Sequence, residues 1–140
     1  MSGDDWRWFY DGLGRAYQRR ADPDRRARLE RARSLVHEHY AEELVVADLA
    51  RCAAMSPFHF VREFRRAFHL TPRQYLIARR IERAKHLLQT TSRSVTEVCL
   101  DVGFTSLGSF STRFARDTGL SPRAYRRVLV PSPESRSPFR

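Results

Sequence analysis

Lysine is almost absent from this chain: all but one of its 26 basic residues are arginine, the exception being Lys85. Cysteine is nearly as scarce. Cys52 and Cys99 have no CxxC spacing, which excludes a disulfide framework, and both lie in apolar helical segments as expected buried free thiols, a redox pair being the minor alternative. The 6 glycines form no phosphate-cradling loop. No run is long or apolar enough to span a membrane. The N-terminus carries Asp4 and Asp5 where a secretory signal would be basic and then apolar, so a cytoplasmic protein is expected. No segment alternates with the period of a strand, and no paired carboxylates or nucleophile constellation points to an enzyme. His37 and His39 fall on different sides of a helix, and His59, His69 and His86 lack Cys or Asp neighbours at ligand spacing. No metal or cofactor is expected.

What is abundant is positive charge. The formal charge is +10 over 140 residues, and the sequence pI is about 10.9. Such a balance predicts attraction to a polyanion, and the planar arginine fork suits phosphate and guanine. The bland alternative is a solvated arginine-rich surface, which also fits the pairs Arg19-Arg20, Arg25-Arg26 and Arg79-Arg80.

The helix signals are frequent. Trp6, Phe9, Tyr10, Leu13 and Tyr17 form a helical stripe within an N-terminal extension, 1–21, weakened by Gly12 and Gly14. Asp22-Pro23 reads as an N-cap and first helical position, with Leu29, Ala32, Val36 and Tyr40 facing inward. A short helix over Val46–Ala53 buries Leu49 and Ala50. Ser56-Pro57 opens a helix to about Phe68, and Thr71-Pro72 a long one to about Gln89 with Ile77, Ile81, Ala84 and Leu88 on its stripe. Ser94-Val-Thr-Glu97 is a capping box. A further helix starts near Thr105 or Ser106 and stops at Gly119, and Ser121-Pro122 starts the last. The tail, 129–140, is Pro/Ser-rich and expected to be disordered. The fold class is therefore all-α, with about seven helices.

Two segments repeat. In "FVREFRRAFHLTPRQY" (60–75) and "FSTRFARDTGLSPRAY" (110–125), Phe60, Phe64, Arg66, Leu70, Pro72, Arg73 and Tyr75 recur as Phe110, Phe114, Arg116, Leu120, Pro122, Arg123 and Tyr125. Upstream, Leu49-Ala50 matches Val98-Cys99 with an offset one smaller, so the second turn holds an extra residue. Each copy is a short helix, a turn of three or four residues and a longer helix, the sequence shape of a helix-turn-helix. This divides the chain into a first helix-turn-helix subdomain, 22–70, a linker helix, 71–90, and a second subdomain, 91–128. On a helical wheel Phe60, Phe64, Ala67 and Phe68 share a core face, opposite Phe58, Val61, Arg62 and Arg65. Phe110 and Phe114 are core in the second copy, opposite Gly108, Ser111, Thr112 and Ala115. The outward faces fit a major groove, where arginine forks onto guanine and apolar groups meet thymine methyls. Packing against another helix or a partner protein is the alternative for Phe58 and Val61. The linker, roughly eighteen residues or about 27 Å, suits two recognition helices near one DNA turn, about 34 Å, apart. An imperfect match would bend the DNA.

Residues 94–127, "SVTEVCLDVGFTSLGSFSTRFARDTGLSPRAYRR", resemble the second half of the AraC/XylS family DNA-binding domain, and "VADLARCAAMSPFHFVREFRRAFHLTPRQYLIARRIERAKHLL" (46–88) looks like its first half. The resemblance covers about residues 26–128. It implies a bacterial transcription regulator, and among family members the stand-alone activators typified by MarA and SoxS, which bind as monomers to asymmetric sites, are the most similar. By resemblance, base contacts fall on Phe58, Val61 and Arg62 in the first unit and on Leu107, Gly108, Ser111 and Thr112 in the second. Phosphate contacts fall on Ser56, His59, Arg65, Arg66, Arg73, Arg80, Ser106, Ser109 and Arg113. Thr112 stands where the family pattern has arginine, Leu107 where a polar residue is common, Val45 at a capping position, and Cys99 at a small-residue position. The first unit is therefore expected to supply most direct readout through Arg62, and the second mostly phosphate anchoring and shape reading.

Double-stranded DNA is the expected partner, with RNA polymerase a candidate second one and no membrane. Against this stand a protein-interaction module, in which the aromatic N-terminal stripe docks on a partner or a second copy, and a DNA-processing enzyme fragment. That stripe fits equally an added core helix or the remnant of a linker.

Overall fold

The computed structural model describes residues 24–128. The aromatic stripe of the N-terminus, the Asp22-Pro23 helix start and the Pro/Ser-rich tail lie outside them. Seven helices follow one another: α1 Arg25–His39, α2 Val46–Cys52, α3 Pro57–Phe68, α4 Pro72–Thr90, α5 Val95–Asp101, α6 Leu107–Thr118 and α7 Pro122–Arg127. No strand occurs among the described residues. None of these helices is long and apolar enough to cross a membrane.

Serine sets the helix starts. Ser56, Ser94, Ser106 and Ser121 are N-caps whose side chains accept from the backbone N–H groups of His59, Glu97, Ser109 and Ala124, satisfying donors that a helix start leaves without partners. At α5 the Glu97 carboxylate pairs with Arg93 at 3.4 Å. Val45 precedes α2 with no side-chain cap. Helices α3 and α6 both end in a left-handed residue, His69 at φ 67° and Gly119 at φ 81°.

The chain forms two compact units, and the division falls within α4: Leu44–Tyr75 joins α1 in the first, and Leu76 onward joins Tyr40–Glu43 in the second. In the first unit Leu29, Ala32, Val36, Leu49, Ala50, Met55, Phe60, Phe64 and Tyr75 are buried. The Phe64 ring meets Phe60 at 5.4 Å and Tyr75 edge-on at 5.5 Å, an arrangement that suits aromatic quadrupoles. Ala67 and Phe68, expected in this core, are only half-buried. Phe68 is flanked by the guanidiniums of Arg33, 4.5 Å from its ring centre, and Arg26, 5.0 Å away. Arg28, itself buried, donates to the carbonyls of Ala53 and Ala54 at 3.1 and 3.2 Å, closing the end of α2.

In the second unit Ile81, Ala84, Leu88, Val98, Cys99, Val102, Phe110, Phe114 and Tyr125 make the core, with Tyr40 packed against it. Tyr40 thus lies past the end of α1 rather than on its inward face. Phe114 meets Tyr125 edge-on at 5.2 Å, repeating the Phe64–Tyr75 pair. Cys99 is buried, but Cys52 is exposed, against the expectation for both thiols. The reason is its place on α2, whose core stripe runs through Leu49 and Ala50 and leaves Cys52 on the outer side.

Candidate nucleic-acid interface

Each unit holds its longer helix in the same way. Phe60 and Phe64 of α3, and Phe110 and Phe114 of α6, have no exposed surface. Four residues apart, they put one helical face into the core and the opposite face in solvent. The turn before α3 spans Ala53–Ser56 and that before α6 spans Val102–Ser106. Each is one residue longer than the sequence spacing suggested, because the capping serine lies outside the helix. The chain reverses through Ala54 at φ 54° and Gly103 at φ 100°.

The outward face of α3 is unusual for a protein surface. Phe58 is 89% exposed, Arg62 and Arg65 are exposed, and Val61 is half-buried. Together with Pro57, Arg66 and Thr71 they line an open groove. The Arg62 guanidinium lies 3.4 Å from Nδ1 of His59. Burial lowers the pKa of His59 from its ordinary 6.5, and the neighbouring arginines act in the same direction against the opposing pull of Glu63. His59 is therefore mostly uncharged at neutral pH. Arg65 and Arg73 are exposed.

On α6 the outward face is small and polar. Gly108, Ser109 and Thr112 are exposed, Ser111 is half-buried, and Leu107 keeps 44% of its surface exposed. A methyl group built on Gly108 would meet only the Ser106 hydroxyl, at 3.8 Å. Arg113 pairs with Asp117 at 3.2 Å.

Among the residues assigned to phosphate by resemblance, Ser56 and Arg80 are tied to the backbone of their own unit. Ser56 is 4% exposed and its hydroxyl accepts from the His59 N–H. Arg80 donates from Nε to the Tyr40 carbonyl at 2.7 Å and from its terminal nitrogen to Glu42 at 2.9 Å. One residue in the interface was not anticipated. Glu63, on α3 between Arg62 and Phe64, is 4% exposed, and its carboxylate meets Arg25 at 3.2 Å and Arg66 at 3.4 Å. The signal was a lone acid among arginines one position off the phenylalanine stripe.

Two aromatic-anchored helices, each preceded by a short helix and a left-handed turn, define a protein of two helix-turn-helix units, a design for laying an exposed helix against duplex DNA. A family model described as a helix-turn-helix domain matches residues 49–128. The HTH-type transcriptional activator RhaS of Enterobacter sp. (strain 638) is 35% identical over 100 residues, covering 71% of this chain and 36% of that protein. Among solved structures, the DNA-binding domain of AdpA, a global transcriptional factor in complex with a target DNA, is 38% identical with a TM-score of 0.69, covering 71% of this chain and 90% of that one. An AraC-type transcriptional regulator from Chromobacterium violaceum is 29% identical with a TM-score of 0.69, covering 76% and 95%. The chain belongs to the AraC/XylS family of helix-turn-helix regulators. It spans about a third of the length of the curated relatives it matches.

Proposed function

We propose that this protein is a sequence-specific transcription regulator that inserts α3 and α6 into successive major grooves and activates from an asymmetric site as a monomer. The observation that carries this reading is the outward face of α3, where an 89% exposed phenylalanine stands beside exposed arginines. Such a surface is costly in water and suits thymine methyls and guanine edges. Asymmetry follows from chemistry: α3 offers Phe58, Val61 and Arg62, whereas α6 offers Leu107, Gly108, Ser111 and Thr112. The two helices would read different base pairs. Activation rests on likeness to RhaS, whose name describes an activator.

Phosphate contacts are assigned to His59, Arg65, Arg66, Arg73, Ser106, Ser109 and Arg113. We remove Ser56, a buried cap, and Arg80, whose guanidinium is held by two carbonyls, and keep Ser106, a cap that is exposed. The first unit supplies most base readout, through Arg62, since small side chains let α6 approach closely but give it few donors for base edges.

The test is selection of duplexes from a random library, followed by salt titration of the winner. The expected result is an asymmetric site with two information-rich blocks about one helical turn apart, the stronger under α3, and affinity falling steeply with salt. A palindromic site would refute monomeric binding, and no enrichment would refute sequence-specific reading.

A further inference from the structure

Glu63 is a carboxylate buried beneath a surface meant to attract phosphate, and it has no counterpart in the second unit, where the repeat places Arg113. Both its oxygens are occupied. Oε2 faces Arg25 at 3.2 Å. Oε1 accepts from Arg66 at 3.4 Å and lies 4.0 Å from Nε of Arg62. The other end of Arg62 meets the ring nitrogen of His59 at 3.4 Å. An arginine otherwise free to sample many rotamers thus has two neighbours, the His59 ring nitrogen at hydrogen-bond distance and, at ion-pair distance, a carboxylate whose side chain is only 5% exposed.

We infer that Glu63 is the specificity-determining positioning residue of the first unit, orienting the Arg62 guanidinium so that its terminal nitrogens are presented to a base edge. The inference rests on Arg62 being a base reader, as proposed above. With Nε on the Glu63 side and Nη2 sharing one hydrogen with His59, Nη1 and the second hydrogen of Nη2 remain for guanine O6 and N7. Bracing the fork before binding reduces the rotamer entropy lost on contact. It does so at a cost to general attraction, since one negative charge sits under the contact face. Glu63 therefore exchanges some indiscriminate affinity for discrimination, so removing its charge should move the two in opposite directions.

The experiment uses the full chain and the duplex selected by the wild-type protein, together with variants of that duplex changed at each base pair under α3 and one unrelated duplex. Glu63→Gln keeps the shape and removes the charge. Glu63→Leu suits the buried position and guards against a folding artefact, and circular dichroism checks both. Arg62→Ala is measured in parallel. The expected result is that Arg62→Ala abolishes discrimination at one base pair, and that both Glu63 variants lower discrimination at that same pair by about fivefold or more, on the scale of one lost fork contact. Their affinity for the unrelated duplex should be unchanged or higher. If Arg62→Ala loses discrimination and folded Glu63 variants keep it, positioning by Glu63 is overturned while base reading by Arg62 stands. If Arg62→Ala loses none, the base-reading assignment itself falls and the inference with it. Equal loss on every duplex by the Glu63 variants would mean a structural role only.

Discussion

Ala54 and Gly103 occupy the same left-handed position in the two helix-turn-helix turns, at φ 54° and φ 100°. The second unit fills it with the residue that tolerates that conformation and the first does not. A left-handed non-glycine residue costs roughly 1–2 kcal/mol, and glycine gives back part of this through its larger unfolded entropy. Ala54→Gly should therefore stabilise the first unit by about 0.5–1 kcal/mol. Gly103→Ala should destabilise the second by more, because its new methyl would lie 3.0 Å from both the Ala41 carbonyl oxygen and Nε of Arg80. Urea denaturation followed by circular dichroism checks the opposite signs.

Val45 begins α2 without a side-chain cap and is 49% exposed, so little burial is lost by changing it. Val45→Ser should add a hydroxyl acceptor for the first turn and raise stability by about 0.5–1 kcal/mol. Ser56→Ala, which removes a working cap, should lower it by about 1 kcal/mol. The same denaturation series measures both.

Arg73 and Arg80 lie on one helix but should fail differently. Arg73 is exposed, and Arg73→Ala should weaken binding on all duplexes and reduce the slope of log affinity against log salt by about 1. Arg80→Ala removes the bonds to the Tyr40 and Glu42 carbonyls. It should destabilise the second unit and leave that salt slope unchanged. A reduced slope for Arg80→Ala would return it to the phosphate contacts.

His59 gives the first unit an acid sensitivity. Burial chiefly depresses its pKa below 6.5 in the folded chain, so between that depressed value and 6.5 the unfolded state binds more protons. Stability should then rise with pH across this window, be fully present above 6.5 and be lost as pH falls through it. His59→Gln should flatten the dependence in denaturation midpoints measured from pH 5 to 8. An unchanged profile would assign the acid sensitivity to other groups.

The helical frame was legible because its signals are local. Ser56-Pro57, Ser121-Pro122, Ser94 and Gly119 act within one turn of themselves, and the Phe60/Phe64 and Phe110/Phe114 pairs mark their own core faces. The misreadings all concern where a side chain ends up. Cys52 sits among apolar residues in sequence but off the stripe that α2 buries. Tyr40 continues the α1 pattern, yet it lies beyond the helix end and belongs to the second unit, whose core it packs on. Glu63 drew no reading from the sequence, because Arg25, the partner that makes its burial tolerable, is distant along the chain. Arg80 resembled a surface cation, and the carbonyls that engage it come from a loop about forty residues earlier in the chain. Such outcomes depend on tertiary neighbours, which periodicity does not encode.

The two units keep the same anchors, phenylalanines four apart and a tyrosine beneath them, while their solvent faces share almost nothing. Framework and outward face thus vary independently between the two units. On the proposed reading, a substitution at the exposed Phe58 or Thr112 should change base preference at little cost to folding, since surface replacements usually shift stability by no more than about 0.5 kcal/mol. Each unit's mounting and its outward face are therefore separable, so one can be altered by substitution while the other stays in place.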